Sequence, residues 1–142
     1  MILYLDASSL LKRYVREEAS RDVDEWIACA DAVATASETL PESASVLSRL
    51  PPWGGLSQSD RRAALEAVER DWDDYAVVDP DERLVSRVAW RRRLRTCAAT
   101  QLAAALTVAE LAASEQLVFS SFDPDLNRAA GAEGLSVIEP WR

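Results

Sequence analysis

The sequence contains no histidine at all. That absence removes Ser-His-Asp triads, Cys-His pairs, H-E-x-x-H zinc centres and C2H2 fingers, each of which needs an imidazole. Acid–base chemistry is left to carboxylates, tyrosine, metal-bound water or lysine, and Lys12 is the only lysine. Cysteine is nearly as scarce. Cys29 and Cys97 stand far apart, too few for an all-thiolate zinc site and without the pattern of a disulfide scaffold. They read as two buried, reduced, inert thiols. Only 4 glycines and 6 prolines among 142 residues exclude a low-complexity or collagen-like chain. Long apolar runs are missing too: the most hydrophobic stretch, residues 102–113, is broken by Thr107 and Glu110 and is too short to cross a bilayer. The opening residues reach Asp6 without a basic segment, so no secretory signal is expected and the protein reads as cytoplasmic. Positive charge is also in deficit, with 16 Lys and Arg against 24 Asp and Glu and a net charge of -8. This balance argues against a stand-alone, high-affinity nucleic-acid binder, which gains its affinity by counterion release. It leaves room for phosphate contact through a divalent metal, and for a basic partner.

What remains is a chain with 49% apolar and 28% charged residues, enough to build one ordinary core, and residues 1–142 are read as one domain. The wholly apolar run at residues 2–5 ends on an acid, as a buried parallel strand does. Leu10, Leu11, Tyr14 and Val15, then Val23, Trp26, Ile27 and Ala30, give two amphipathic helices. Residues 32–36 read as a strand and 37–50 as a helix that tolerates Pro41 only near its first turn. After the Pro51-Pro52-Trp53-Gly54-Gly55 loop, Leu65, Val68, Trp72 and Tyr75 line a long charged helix. A strand at 76–78, helices at about 81–94 and 98–114, a strand at 117–120, a helix at 123–130 and a strand at 136–138 complete the order β-α-α-β-α-α-β-α-α-β-α-β. The predicted class is α/β: a central parallel sheet of about four to five strands with helices on both faces.

Ligands of such sheets bind beyond the carboxyl ends of the strands, near the point where strand order reverses. The polar residues there are Asp6 and Ser8, then Ser37, Glu38 and Glu42, then Ser121 and Asp123. Carboxylates without His or Cys form a hard oxygen site suited to Mg2+ or Mn2+, and phosphodiester cleavage is its natural chemistry. Each residue also has an ordinary role open to it. Asp6 and Asp123 sit where helix N-caps belong, Pro124 sits where N1 belongs, and Glu42 suits a helix dipole. Arg91, Arg92, Arg93 and Arg95 are either a phosphate contact or a solvated helix face, and the net charge favours the latter. Of the five tryptophans, Trp26, Trp72 and Trp90 fall in helical patterns and are assigned to the core, whereas Trp53 is assigned as an exposed anchor for a partner.

Three segments resemble the PIN domain, and specifically the VapC-type toxin ribonucleases of bacterial type II toxin–antitoxin pairs. Tyr4-Leu5-Asp6-Ala7-Ser8-Ser9-Leu10 is similar to the family's opening strand, first acid and hydroxyl. Val33-Ala34-Thr35-Ala36-Ser37, running on to Pro41-Glu42-Ser43-Ala44, resembles the segment with its second acid. Phe119-Ser120-Ser121-Phe122-Asp123 resembles the late acidic stretch. The resemblance implies an endoribonuclease in which Asp6, Glu42 and Asp123 bind one or two Mg2+ ions, with Asp6 central and Ser8, Gln101 and Ser121 in support. It also implies a VapB-like antitoxin that plugs the acidic site with an arginine, an RNA substrate and a homodimer. The sequence departs from the pattern at one place. Leu94-Arg95-Thr96-Cys97-Ala98-Ala99-Thr100-Gln101-Leu102-Ala103 puts Ala98 where the family carries its third acid, so the chain is expected to be inactive or nearly so. Retention of Asp6, Glu42, Ser121 and Asp123 favours one disarming substitution over general decay of the site. The competing reading is a PIN-like module that binds a protein partner without catalysis. A haloacid-dehalogenase-like phosphatase is disfavoured because Ser8 replaces the second acid of its D-x-D motif, and a receiver domain because it needs an acidic pair and a late lysine.

Overall fold

The computed structural model describes residues 1–49 and 55–140. Trp53 and the proline pair before it lie outside the described residues, as does Leu50 at the end of the helix expected over 37–50. Five strands form one sheet: β1 (Ile2–Leu5), β2 (Ala32–Ala36), β3 (Ala76–Val78), β4 (Leu117–Ser120) and β5 (Ser136–Val137). Every pairing is parallel, and the spatial order is β3-β2-β1-β4-β5. Between them run α1 (Ala7–Tyr14), α2 (Ser20–Cys29), α3 (Thr39–Ser48), α4 (Gln58–Asp71), α5 (Glu82–Arg92), α6 (Thr96–Leu111) and α7 (Pro124–Ala132). The order of elements is the one read from the sequence, with helix ends displaced by one to three residues except at α4, which stops at Asp71 and leaves Trp72 in a following 3-10 turn and Tyr75 in extended backbone beyond it.

The two-residue period of β1 divides the core. Leu3 and Leu5 pack with Leu10, Val23, Val68 and Tyr75 on the side of α1, α2 and α4. Tyr4 faces the other way, onto Phe119, Val88, Leu102 and Leu126 on the side of α5, α6 and α7. Both faces are covered, which explains why β1 reads as a continuous apolar run rather than an alternating one. The Tyr4 and Phe119 rings stack at 5.5 Å across the β1–β4 pair.

Three expectations fail on this fold. Trp90 is 89% exposed rather than core, because α5 directs Leu84, Val85, Val88 and Ala89 inward and leaves residue 90 on the opposite side. Cys29 and Cys97 are both exposed. Cys29 ends α2 outside its Val23–Trp26–Ile27 stripe, and Cys97 lies in the first turn of α6, before that helix enters the core.

Two helices finish in the left-handed backbone region. Gly134 has φ 91 just beyond α7, where a glycine is unstrained. At the end of α5 the same region is occupied by Arg93, with φ 56 and ψ 45. The preceding arginines reach the far end of α7: Arg91 donates to Glu133 Oε1 at 2.5 Å and Oε2 at 3.0 Å, and Arg92 Nε donates to Oε2 at 2.6 Å. The Arg91 guanidinium first, with Arg92 adding to it against the cost of burial, holds the Glu133 carboxyl below its usual range. A depressed carboxylate pKa adds stability that is complete above the ordinary glutamate value and is lost as pH falls through the folded value. Glu133→Gln is therefore expected to lower Tm by a few degrees at pH 7, and thermal melts should show the deficit closing in acid. Arg91 is half-exposed, so water screening keeps the effect small.

Candidate active site

In the order β3-β2-β1-β4-β5 the chain steps outward from β1 in one direction and then resumes on its other side, so strand order reverses between β1 and β4. Asp6 follows β1 and Ser121 follows β4, which places both at that reversal. Asp6 is buried and caps α1, accepting from Ser9 N at 2.9 Å. It also accepts from Ser8 Oγ at 2.7 Å and Ser121 Oγ at 2.6 Å. The two serines are themselves held by backbone: Phe122 N donates to Ser8 Oγ at 2.9 Å, and Asp123 N to Ser121 Oγ at 3.0 Å. One knot of hydrogen bonds thus fixes Asp6, Ser8, Ser121 and the start of the Asp123 turn. Asp123 caps α7 through Asp125 N at 3.0 Å, with Pro124 at N1 as expected.

A second knot surrounds Glu42. Gln101 is 2% exposed on α6; its Nε2 donates to Glu42 Oε2 at 3.2 Å and to Thr39 Oγ1 at 3.0 Å. Its Oε1 accepts from the Tyr4 hydroxyl at 2.7 Å. Thr35 then links Thr39, at 2.8 Å, to the carbonyl of Leu5 at 2.6 Å. Gln101 is therefore enclosed by protein groups and holds Glu42 in place. The sequence reading missed Tyr4, Thr35, Thr39 and Ser9 as members of the site. The available signal was the hydroxyl of Tyr4 inside a buried strand, since a buried tyrosine needs a hydrogen-bond partner.

The two knots are coupled electrostatically. Burial raises the Asp6 carboxyl above its usual range, its hydrogen bonds oppose the rise, and the charge of Asp123 adds to it. Burial likewise raises Glu42, against the bond from Gln101, with the charges of Asp6 and Glu38 adding to the rise. A raised carboxyl pKa means stability present below the ordinary value and lost as pH rises through the folded one. Asp6→Asn is thus expected to stabilise the metal-free protein at pH 7 by about 1 kcal/mol, raising Tm by about 3 °C. Asparagine caps a helix as well as aspartate does, and Ser121 can turn its hydroxyl to accept. Melts in EDTA at pH 7 and pH 3.5 test this: the gain should be present at the first and absent at the second.

The donors around this centre are all oxygens, the right class for Mg2+ or Mn2+. Among the described residues, however, no three Asp, Glu, Cys or His side chains gather closely enough to hold a metal ion. Ala98, partly buried in the first turns of α6, lines a cavity of about 590 Å³ together with Asp123 and Arg95. The present side chains therefore do not complete a metal centre, and a methyl group borders the cavity that Asp123 lines.

The PIN domain family model matches residues 3–132. The chain belongs to the PIN domain family. In shape this PIN domain is similar to PAE2754 from Pyrobaculum aerophilum, with 23% identity and a TM-score of 0.65 over 96% of this chain and 89% of that one. It is also similar to VapBC-5 from Mycobacterium tuberculosis, a member of the VapBC family of toxin–antitoxin systems, with 21% identity and a TM-score of 0.62 over 98% of each chain. VapBC-1 from nontypeable Haemophilus influenzae matches over 98% of each chain, at 13% identity and a TM-score of 0.64. At these identities the likeness concerns the fold. No curated protein sequence matches the chain. Among the described residues, no helix of the PIN domain is long and apolar enough to cross a membrane.

Proposed function

We propose that the chain is a VapC-like toxin endoribonuclease whose Mg2+- or Mn2+-dependent cleavage of RNA phosphodiester bonds is disabled by alanine at position 98. The observation that supports this most is the knot around Asp6. A buried carboxylate with a raised pKa, coupled to Asp123 and Glu42 at the reversal point of a PIN-domain sheet, is costly for stability and suited to a cation. In this reading Asp6, Glu42 and Asp123 are what remains of the ligand set. Ser8 and Ser121 orient Asp6, and Gln101 orients Glu42. The partners that go with the reading are a VapB-like antitoxin, which covers the acidic centre with a basic side chain, an RNA substrate and a second copy of the chain, in the cytoplasm. The test is Ala98→Asp with RNA and Mg2+: cleavage that EDTA abolishes supports the proposal, and an inert but folded Ala98→Asp protein sinks it.

The absence of a three-carboxylate cluster among the described residues favours one second reading, a PIN-like module that binds a protein partner without catalysis. Titrating Mg2+ or Mn2+ into both forms separates the two. An enzyme short of one ligand gains metal affinity with Ala98→Asp, whereas a binding module responds to neither ion in either form.

A further inference from the structure

The cavity bordered by Ala98 differs in charge from the rest of the molecule. In a chain of net charge -8, it is lined by Arg92, Arg93, Arg95 and Arg128 against only Asp123 and Asp125. Two of these arginines are already paired, Arg92 with Glu133 outside the cavity and Arg128 with Asp125 within it at 3.0 Å. The guanidinium groups of Arg93 and Arg95 make no hydrogen bond or ion pair among the described residues. Both are exposed. Directly after Arg95, α6 begins at Thr96 with no side-chain cap and no acid in its first turn, so its positive end adds to theirs. Arg93 moreover holds left-handed backbone, where glycine is the low-energy choice. Local strain kept at such a place motivates a functional reading.

We infer that this cavity is a phosphate subsite, in which Arg93 and Arg95 hold a backbone phosphate of a single-stranded RNA beside position 98 without a metal ion. The inference rests on the nuclease reading for the identity of the strand and adds where that strand lies. An acid at position 98 would offset part of this positive charge. With alanine there, the chain keeps a strand-holding surface that does not depend on metal.

Fluorescence anisotropy with a labelled 12-nucleotide single-stranded RNA, in EDTA at low salt, tests it. Arg95→Gln and Arg93→Gly should each weaken binding by about tenfold, and each should flatten the slope of log affinity against log salt by about 0.7. Arg62→Gln, the same charge change on α4, should alter affinity less than twofold. Arg93→Gly should also raise Tm by about 3 °C as the strain is relieved; tighter folding with weaker binding is a combination that a purely structural arginine would not give. Arg95→Gln alters an exposed side chain at a helix start and keeps the test open whatever the fate of the glycine variant. Failure of the parent to bind RNA, or losses no larger than that of Arg62→Gln, overturns the subsite. Arginine variants that bind poorly alongside an inert Ala98→Asp protein would uphold the subsite and remove the nuclease reading. Cleavage by Ala98→Asp with unaltered affinity in the arginine variants would do the reverse.

Discussion

Ala98→Asp is expected to raise Mg2+-dependent RNA cleavage by about 100-fold or more over the parent chain, the scale that misplacement of a reacting group by about 1 Å commonly costs. Position 98 is the third residue of α6, whose first turn holds no acid, so a carboxylate there is favoured by the helix dipole and should not destabilise the fold. It would face the cavity that Asp123 also lines, while Glu42 is held from the next turn by Gln101. The measurement is cleavage of a quenched fluorescent RNA with Mg2+ and with EDTA. Adding Asp6→Asn to Ala98→Asp should return the rate to that of the parent. If the double variant cleaves as fast as Ala98→Asp alone, Asp6 is not part of the reacting centre.

Gln101→Leu should cost about 3 kcal/mol and lower Tm by about 10 °C, the largest stability loss expected from one substitution at the site. The leucine removes three hydrogen bonds in a fully buried position and leaves the Tyr4 hydroxyl without the acceptor that it uses at 2.7 Å. The penalty comes mainly from the stranded polar groups, not from the bonds themselves. Tyr4→Phe combined with Gln101→Leu should therefore recover a large part of the loss, because apolar groups of similar shape then replace both partners. Denaturant titration of the two single variants and the double variant measures the coupling. Additive losses would show that Tyr4 and Gln101 do not act as one unit.

The strands and most helices were legible because each carries its own signal. β1 is a closed apolar run, and α2 carries Val23, Trp26 and Ile27 on one stripe with Ala30 as its cap packed alongside. Asp6 and Asp123 were legible because capping and the strand-end position both select them, and they do cap α1 and α7. Trp90 was misplaced because a bulky apolar residue was assigned inward, whereas Val88 and Ala89 set the inner side of α5. Cys29 and Cys97 were assigned to the interior from the habits of free thiols, and their exposure depends on helix ends that residue type does not fix. The network of Tyr4, Thr35, Thr39 and Gln101 was out of reach for another reason. Tyr4 and Gln101 are 97 positions apart, and only the packing of α6 on the sheet brings them together.

Along α6, residue 98 borders the cavity, whereas residue 101, one turn on, is sealed inside. Substitution at the outer of the two leaves the buried hydrogen bonds of Gln101 in place. On the proposed nuclease reading, a change at that one position switches cutting power while the scaffold stays intact. A comparison of shapes then sets active and inert versions of such a nuclease side by side.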